Sequence, residues 1–260
     1  MYNKVEVFKE ELSYIKNETI RNFFTKAVVG LPDYFFEVAA SSTGKYHPSY
    51  SLGSGGLVRH TKAAVKIAYD LLNLEQNKQN FKDDEADIII GSLMCHDGLK
   101  HGKEQSQYTI ATHPVVAAEY IKNGDFGELP EGYLDIIVGV ISSHMGEFNT
   151  DFKTKKEILP KPVTQIEQFV HMCDYLASRK YLVMEFENRY EPSNFKVNDL
   201  ENKIKEIISI CKEKIVSGVD RDILYRIISD NNNGNKNPNS ISSVEIAEKI
   251  ITLIKEANNG

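Results

Sequence analysis

Histidine is the residue type in this chain whose distribution points to chemistry. All seven histidines lie between His47 and His171, while residues 1–46 and 172–260 contain none. An imidazole can bind a metal ion, transfer a proton or contact a phosphate. One of them, His96, is directly followed by an acidic residue, Asp97. This part of the chain is therefore where a site is to be sought.

Four of the histidines and two aspartates fall within or at the ends of apolar helical stripes. His144, for example, continues the stripe of Ile137 and Val140. Buried imidazoles and carboxylates need partners. Either each of the six residues has its own hydrogen-bond partners, or all six share one metal centre. The shared centre is more economical, and its nitrogen and oxygen donors suit Mn, Fe, Co, Ni or Zn. The six residues are His60, His96, Asp97, His113, His144 and Asp174.

Hydrophobic periodicity predicts that helices position these residues. We find no alternating strand pattern of useful length and no internal repeat, so the expected fold class is all-α. A loop is expected over Ser41–Gly56, and Thr112 is expected to cap the helix that carries Pro114. Helices are predicted in the N-terminal stretch, at 57–74, 86–95, from about 112, and at 132–143, 163–181, 198–217, 221–228 and 244–257.

The order of these segments resembles the HD-domain phosphohydrolase superfamily. The stretch around His60, GGLVRHTKAAVKIA, resembles the first-histidine helix, and LMCHDGLKHGKE resembles the histidine-aspartate segment. THPVVAAEYI and VISSHMGEF resemble the additional histidine segments of two-metal members, and LPKPVTQIEQFVHMCDYLASR resembles the last-aspartate helix. The resemblance covers about Tyr46 to Tyr181 and is greatest to the branch that contains bacterial 3′-to-5′ exoribonucleases.

The chain departs from that branch in two ways. The branch often has two adjacent histidines where this chain has His144-Met145, which puts a third metal ligand or a substrate contact in doubt. It also often carries an N-terminal oligonucleotide-binding barrel, for which this N-terminal stretch is too short and too helical.

The resemblance implies a centre of two divalent ions, with manganese favoured. His60, His96, Asp97 and Asp174 would hold the first ion, and Asp97 would bridge to a second held by His113 and His144. A hydroxide between the ions is the implied nucleophile. Lys100 would lie beside the ions, where an ammonium can neutralise a phosphate oxygen. Asp97 and Lys100 are thus the implied catalytic residues.

Other polar residues are weaker candidates for substrate contacts. His171 could contact substrate, donate a proton or support a ligand from behind, and Arg179 could reach substrate or cap its helix. His47, with Tyr46, could line the pocket or belong to a plain loop, and His101 could be merely solvated. The lysines after His144 could meet phosphates or form a solvated loop: Lys153, Lys155, Lys156 and Lys161.

Composition bounds the class of protein. The net charge of −6, with 41 % hydrophobic and 26 % charged residues, is typical of a globular protein and gives no broad basic face for long nucleic acid. Three scattered cysteines, without CxxC spacing, argue against a disulfide framework or a zinc knuckle. The lack of a signal peptide or of an apolar run of about 20 residues predicts a cytoplasmic protein without membrane contact.

Three parts of the chain are expected: an N-terminal helical segment over 1–44, an HD core over 45–185, and a C-terminal helical extension over 186–260. The extension contains a predicted mobile Asn-rich loop at 231–240, and the terminal helices could serve dimerisation or form a lid.

The predicted function is metal-dependent hydrolysis of phosphoester bonds in nucleotides or short oligonucleotides. The acidic charge favours small substrates and the resemblance favours a nuclease. The alternatives are a non-catalytic HD module that binds a nucleotide, and a purely structural metal site, although such sites favour closed Cys/His tetrahedra.

Overall fold

The computed structural model describes residues 3–41, 44, 46–182 and 199–257, and over these residues the fold is all-α, as the periodicity predicts. Beyond helices and turns, that part of the chain contains an isolated antiparallel bridge between Thr150 and Glu157. The α-helices are α1 (Lys4–Val7), α2 (Lys9–Tyr14), α3 (Glu18–Gly30), α4 (Gly56–Leu72), α5 (Glu75–Lys78), α6 (Asp83–Cys95), α7 (His113–Asn123), α8 (Tyr133–Ser143), α9 (Gln165–Ala177), α10 (Asp199–Val216), α11 (Arg221–Asn231) and α12 (Val244–Glu256). Short 3₁₀ turns occur at Asp33–Phe36, Ser49–Ser51 and Pro238–Ser240.

The chain divides into two compact units, Met1–Pro192 and Ser193–Gly260. The predicted boundary at 185 and 186 lies outside the described residues. In the first unit, side chains from the N-terminal segment, such as Phe8 and Phe24, belong to the same core cluster as those of α4, α6, α8 and α9. In the second unit, α10, α11 and α12 enclose an apolar core that includes Ile207, Leu224 and Ile250.

Helix α6 is the centre of the first unit. Every residue from Asp87 to Cys95 is buried, because α2, α3, α4, α8 and α9 all pack against this helix. Gly91 permits the close approach of α3, since a Cβ there would come within 2.0 Å of the Phe24 ring. The largely apolar run over residues 88–94 suits the helix to such a central position.

Local capping agrees with the sequence at α9 and disagrees at α7. Thr164 and Glu167 form a reciprocal capping box at the start of α9. The prediction that the Thr112 side chain caps α7 is wrong, because its hydroxyl makes no capping hydrogen bond to the described backbone. Thr112 has φ −92° and ψ 11°, outside the extended conformation in which capping residues aim the side chain at the first turn.

Two further features bear on sequence predictions. Asn232, in the Asn-rich loop, is buried and its Nδ2 donates to the carbonyl oxygen of Asn235 (3.1 Å) and to Oγ of Ser240 (2.8 Å). The mobility of that loop stays a prediction. None of the described helices has both the length and the apolar character needed to cross a bilayer.

Candidate metal centre

Five helices bring the six predicted ligand residues together in the first unit. His96 and Asp97 follow the end of α6, His113 begins α7 and His144 follows the end of α8, while α4 carries His60 and α9 carries Asp174. Five of the six are buried to 2 % exposure or less, and the Asp174 side chain is 15 % exposed. Three groups of these residues offer ligand atoms within 4.8 Å of one another: His60, His96 and Asp97; His96, His144 and Asp174; and Asp97, His113 and His144.

The backbone fixes the orientation of three of the imidazoles. Nδ1 of His96, His113 and His144 lies 2.6, 2.8 and 2.7 Å from the carbonyl oxygen of the residue three positions earlier. A carbonyl oxygen can only accept, so Nδ1 must donate, and in a neutral ring Nε2 then carries the lone pair. This arrangement is the one by which outer hydrogen bonds orient metal-binding imidazoles.

The Nε2 atoms of these three imidazoles lie around the Asp97 carboxylate, one oxygen of which also lacks a donor among the described residues. Oδ1 of Asp97 lies 3.0 Å from Nε2 of His113 and 3.7 Å from Nε2 of His144. Neither Oδ1 nor the Nε2 atoms of His96, His113 and His144 forms a hydrogen bond with any residue that the structure describes. Buried acceptors that face one another without a donor are costly unless a cation lies among them.

The other side of the cluster is formed by Asp174. Nε2 of His60 donates to its Oδ1 at 2.9 Å, and Nε2 of His96 lies 3.4 Å from the same oxygen. Asp97 faces this side with its second oxygen, since Oδ2 is 3.6 Å from Nε2 of His60 and 3.5 Å from Nε2 of His96. The two carboxylates thus share His60 and His96.

The pKa shifts of Asp97, Asp174 and His144 suit a cation. Burial alone would raise the pKa of Asp97, but Lys100 and the neighbouring imidazoles hold it well below its usual range. Burial would also raise the pKa of Asp174, and the neighbouring imidazoles of His60 and His96 lower it well below its usual range. Burial lowers the pKa of His144 to about 3, so this ring is neutral near pH 7. Anionic carboxylates and neutral imidazoles are the forms that bind a divalent ion.

Lys100 lies beside the cluster. Its Nζ is 2.5 Å from Oδ2 of Asp97, and its side chain is 12 % exposed. The turn that carries it is fixed by Tyr34, whose hydroxyl donates to the carbonyl oxygen of Gly102 (2.7 Å) and accepts from the backbone N–H of His101 (3.3 Å). The ammonium is therefore held near the cluster without being able to ligate a cation, because it has no lone pair.

A cavity of about 570 Å³ opens onto the cluster. Four of the six candidate ligands, His60, Asp97, His113 and Asp174, are among the residues that line it, so the cluster is accessible from the cavity. Its walls carry the predicted residues His47, Lys100, His171 and Arg179, together with Tyr46 and Met145. A volume of this size fits a small organic molecule of nucleotide dimensions.

The weaker candidates have distinct surroundings. Nδ1 of His171 lies 2.7 Å from the carbonyl oxygen of His144, and its Nε2 lies 3.2 Å from the Glu147 carboxylate. His171 thus contacts the backbone of a ligand residue while lining the cavity. The His47 ring centre is 5.6 Å from that of His60, and burial lowers the pKa of His47 to about 3.

Gly146 explains how His171 reaches that position. Gly146 has φ +59°, and a Cβ there would lie 2.2 Å from the His171 ring. The left-handed turn and the absence of a side chain let the chain reverse directly beneath the imidazole.

The structure also bears on the interpretations of His101 and of the four lysines after His144. His101 is 7 % exposed and its Nδ1 lies 2.9 Å from the carbonyl oxygen of Ser106, so the interpretation of a solvated residue is wrong. The four lysines after His144 are exposed, and none of them is among the described residues that line the cavity.

Sequence reasoning missed the aromatic wall of the cavity, which consists of Tyr108, Phe148 and Tyr175 in addition to Tyr46. A signal existed in their spacing, since Phe148 follows His144 by four residues and Tyr175 directly follows Asp174. Tyr34 was missed because it lies far from Lys100 in sequence.

Comparison of the chain with models of known families found no match, and comparisons with curated proteins and with solved structures found none either. The residues of the site and their geometry are therefore the basis for a functional assignment.

Proposed function

We propose that the protein is a metal-dependent phosphohydrolase that cleaves phosphoester bonds of nucleotides or short oligonucleotides. The observation that carries the proposal is the set of buried, mutually facing acceptors on Asp97, His96, His113 and His144, which lack hydrogen-bond donors among the described residues. Their donor set of imidazole nitrogens and carboxylate oxygens fits a first-row divalent ion, with manganese favoured.

Two divalent ions are proposed for this centre. His60, His96, Asp97 and Asp174 would hold one ion, and Asp97, His113 and His144 would hold the other, with Asp97 shared. The convergence of the last three residues within 4.8 Å supports the second set. When bound, such ions supply Lewis acidity toward phosphoryl oxygens and toward water.

The chain's own residues account for substrate binding. The cavity leads the substrate to the cluster, and the Lys100 ammonium can donate to a non-bridging phosphate oxygen there. Asp97 holds Lys100 in place before substrate arrives. The open cavity argues against a purely structural metal site, because such a site is closed by its ligands.

This arrangement is the one implied by the resemblance to HD-domain phosphohydrolases, and membership of that superfamily is part of the proposal. The direct test is a panel of nucleotides, short RNA and DNA oligomers and bis(p-nitrophenyl) phosphate, assayed with Mn²⁺, Co²⁺ and Ni²⁺. We expect close to two metal ions per chain and product release from at least one phosphoester. A metal content near zero, with no activity restored by any of the three ions, would contradict the proposal, and nucleotide binding without turnover would favour a regulatory module.

Lys100→Ala separates the roles of ligand and phosphate contact. Because Lys100 cannot ligate a metal ion, the variant should retain the wild-type metal content while kcat falls by about 10²–10³, the usual effect of removing one preorganised donor. Lys103→Ala is the matched control, since Lys103 is exposed and close in sequence. An unchanged kcat for Lys100→Ala would remove the lysine from the mechanism.

A further inference from the structure

The cavity beside the metal centre has an aromatic wall. Four aromatic side chains line it, and three of them are well exposed: Tyr46 at 56 %, Tyr108 at 46 % and Phe148 at 51 %. The fourth, Tyr175, is partly buried. Exposed aromatic rings gathered around one cavity are a typical feature of a surface that binds a ligand.

Two of these rings present parallel faces. The rings of Phe148 and Tyr175 are inclined by only 7°, with centroids 6.4 Å apart. The Arg179 guanidinium lies 4.1 Å from the centroid of the Tyr175 ring, and its Nη2 donates to Oγ of Ser178 at 2.7 Å. Arginine and tyrosine therefore support each other through a cation–π contact.

The chain ties this wall to the metal centre. Phe148 lies four residues after His144, and Tyr175 is adjacent to Asp174 on α9. A flat ligand on the wall would thus lie at a set distance from the cluster, in a cavity that Lys100 also lines.

We infer that Phe148, Tyr175 and Arg179 form a platform on which the nucleobase of a nucleoside phosphate stacks. The platform deepens the proposed function and rests on it, because the phosphate would lie at Lys100 and the metal centre. Bases, unlike sugars or simple phosphoesters, have the planar π-face that such a platform binds.

The platform reads the presence of a base rather than its identity. The described residues that line the cavity include no asparagine or glutamine, the side chains that pair selectively with the adenine edge. Stacking on an aromatic ring accepts every base, because all bases have a π-face. We therefore expect binding of adenine and pyrimidine nucleotides alike.

Binding of non-hydrolysable ligands tests the platform independently of turnover. The probes are the phosphonate analogue of adenosine 5′-monophosphate, in which a methylene group replaces the ester oxygen, and the matching ribose 5-phosphonate. Isothermal titration calorimetry on the full, metal-loaded chain should show the adenosine probe binding about tenfold more tightly than the ribose probe.

Variants at Phe148 locate the effect. Phe148→Ala should remove most of the tenfold preference and leave affinity for the ribose probe unchanged, while Phe148→Tyr should retain it. Phe152→Ala is the matched control, because Phe152 is 85 % exposed and does not line the cavity. A preference that survives Phe148→Ala, or equal affinity of the wild-type chain for both probes, would overturn the platform.

A fluorescent reporter supplies a second measurement. The chain contains no tryptophan, so Phe148→Trp introduces a single indole at the platform. The adenosine probe should quench its emission and the ribose probe should not. Absence of quenching by the bound adenosine probe overturns the platform even if the enzyme hydrolyses phosphoesters, whereas quenching without hydrolysis in the substrate panel would retain the platform and contradict the proposed reaction.

Discussion

The two ends of helix α6 carry carboxylates that are equally buried and differently partnered. Asp87, near the start of the helix, is 3 % exposed, and its oxygens accept from the backbone N–H groups of Lys16 (3.0 Å) and Asn17 (2.7 Å). Asp97, just past the end, is 2 % exposed, and its Oδ1 lacks a hydrogen-bond donor among the described residues. One aspartate anchors the N-terminal segment, while the other faces a ring of imidazoles.

The pKa values of the Asp87 and Asp97 carboxyl groups are shifted in opposite directions. Burial raises the pKa of Asp87, and the two backbone amides only partly offset it. At Asp97 burial acts in the same direction, but Lys100 and the imidazoles lower the pKa well below its usual range. Burial alone therefore does not distinguish a candidate metal ligand from a structural carboxylate, whereas the groups that face each carboxylate do.

Substitution of each aspartate should give opposite results, and this is the largest effect expected. Asp97→Asn removes a shared carboxylate, so metal content should fall and phosphoester hydrolysis should drop to background. Asp87→Asn should keep both metal content and kcat. Its free energy of unfolding should fall by about 1–3 kcal/mol, because one backbone donor loses its acceptor. Elemental analysis, kcat and denaturant unfolding on the same preparations measure this. Loss of metal from Asp87→Asn alone would reverse the comparison.

Metal removal should destabilise the Asp97 end of α6 in a pH-dependent way. An ion whose free concentration is about a hundred times its Kd stabilises the fold by about 2.7 kcal/mol, so chelation should lower Tm. In the metal-free chain burial would lower the pKa of His96, but Asp97 and Asp174 raise it. A raised pKa gives stability that is present at low pH and is lost as pH rises through the folded value.

The stability that a bound ion adds should depend on pH in the opposite direction, because the ion would have to displace the proton from His96. The difference in Tm between loaded and chelated protein should therefore widen as pH rises from about 6, near the ordinary histidine pKa, toward 8. Thermal scans with and without chelator across this range provide the measurement. A difference that narrows with rising pH would exclude His96 as a ligand.

Two glycines that flank α8, Gly132 before it and Gly146 after it, extend the comparison to a second helix. Gly146→Ala should destabilise the fold by more than about 1–2 kcal/mol, because the left-handed φ of +59° is strained for alanine and the new methyl meets the His171 ring. Gly132→Ala, at φ +82° with no described atom within 4 Å of the added Cβ, should show the strain alone. Urea unfolding separates the two, and metal content should fall only for Gly146→Ala. Equal effects of both variants would show that the His171 contact is unimportant.

The smallest effect concerns the turn after α6. Tyr34→Phe removes the hydroxyl that holds Gly102 and His101, so stability should fall by about 1 kcal/mol. Because that turn positions Lys100, kcat should fall several-fold without loss of metal. Tyr120→Phe is the matched control, since its hydroxyl donates to the Ala27 carbonyl oxygen at 2.7 Å, away from Lys100. A fall in kcat for both variants alike would mean that only stability had changed.

Local sequence determined the helices of this protein, because hydrophobic periodicity and Gly or Pro boundaries act over a few residues. The predicted helix at 132–143 differs by one residue from Tyr133–Ser143, and that at 221–228 is extended to Arg221–Asn231. The histidines on apolar stripes had to be buried, since the stripe that carries them faces the core. That reasoning was sufficient to select all six residues of the candidate metal centre.

Only the tertiary structure decided which groups those residues contact. The tautomers of His96, His113 and His144 depend on carbonyl oxygens whose positions follow from the ends of α6 and α8 and the start of α7. Asp87 lies within α6 and Asp97 just past its end, and only the packing of a distant N-terminal segment gives Asp87 its backbone donors. Tyr34 reaches the Lys100 turn, and Phe148 lies parallel to Tyr175, through contacts between residues 68 and 27 positions apart. Periodicity carries no information over such separations, because it records which face of a helix is buried and not which neighbour covers it.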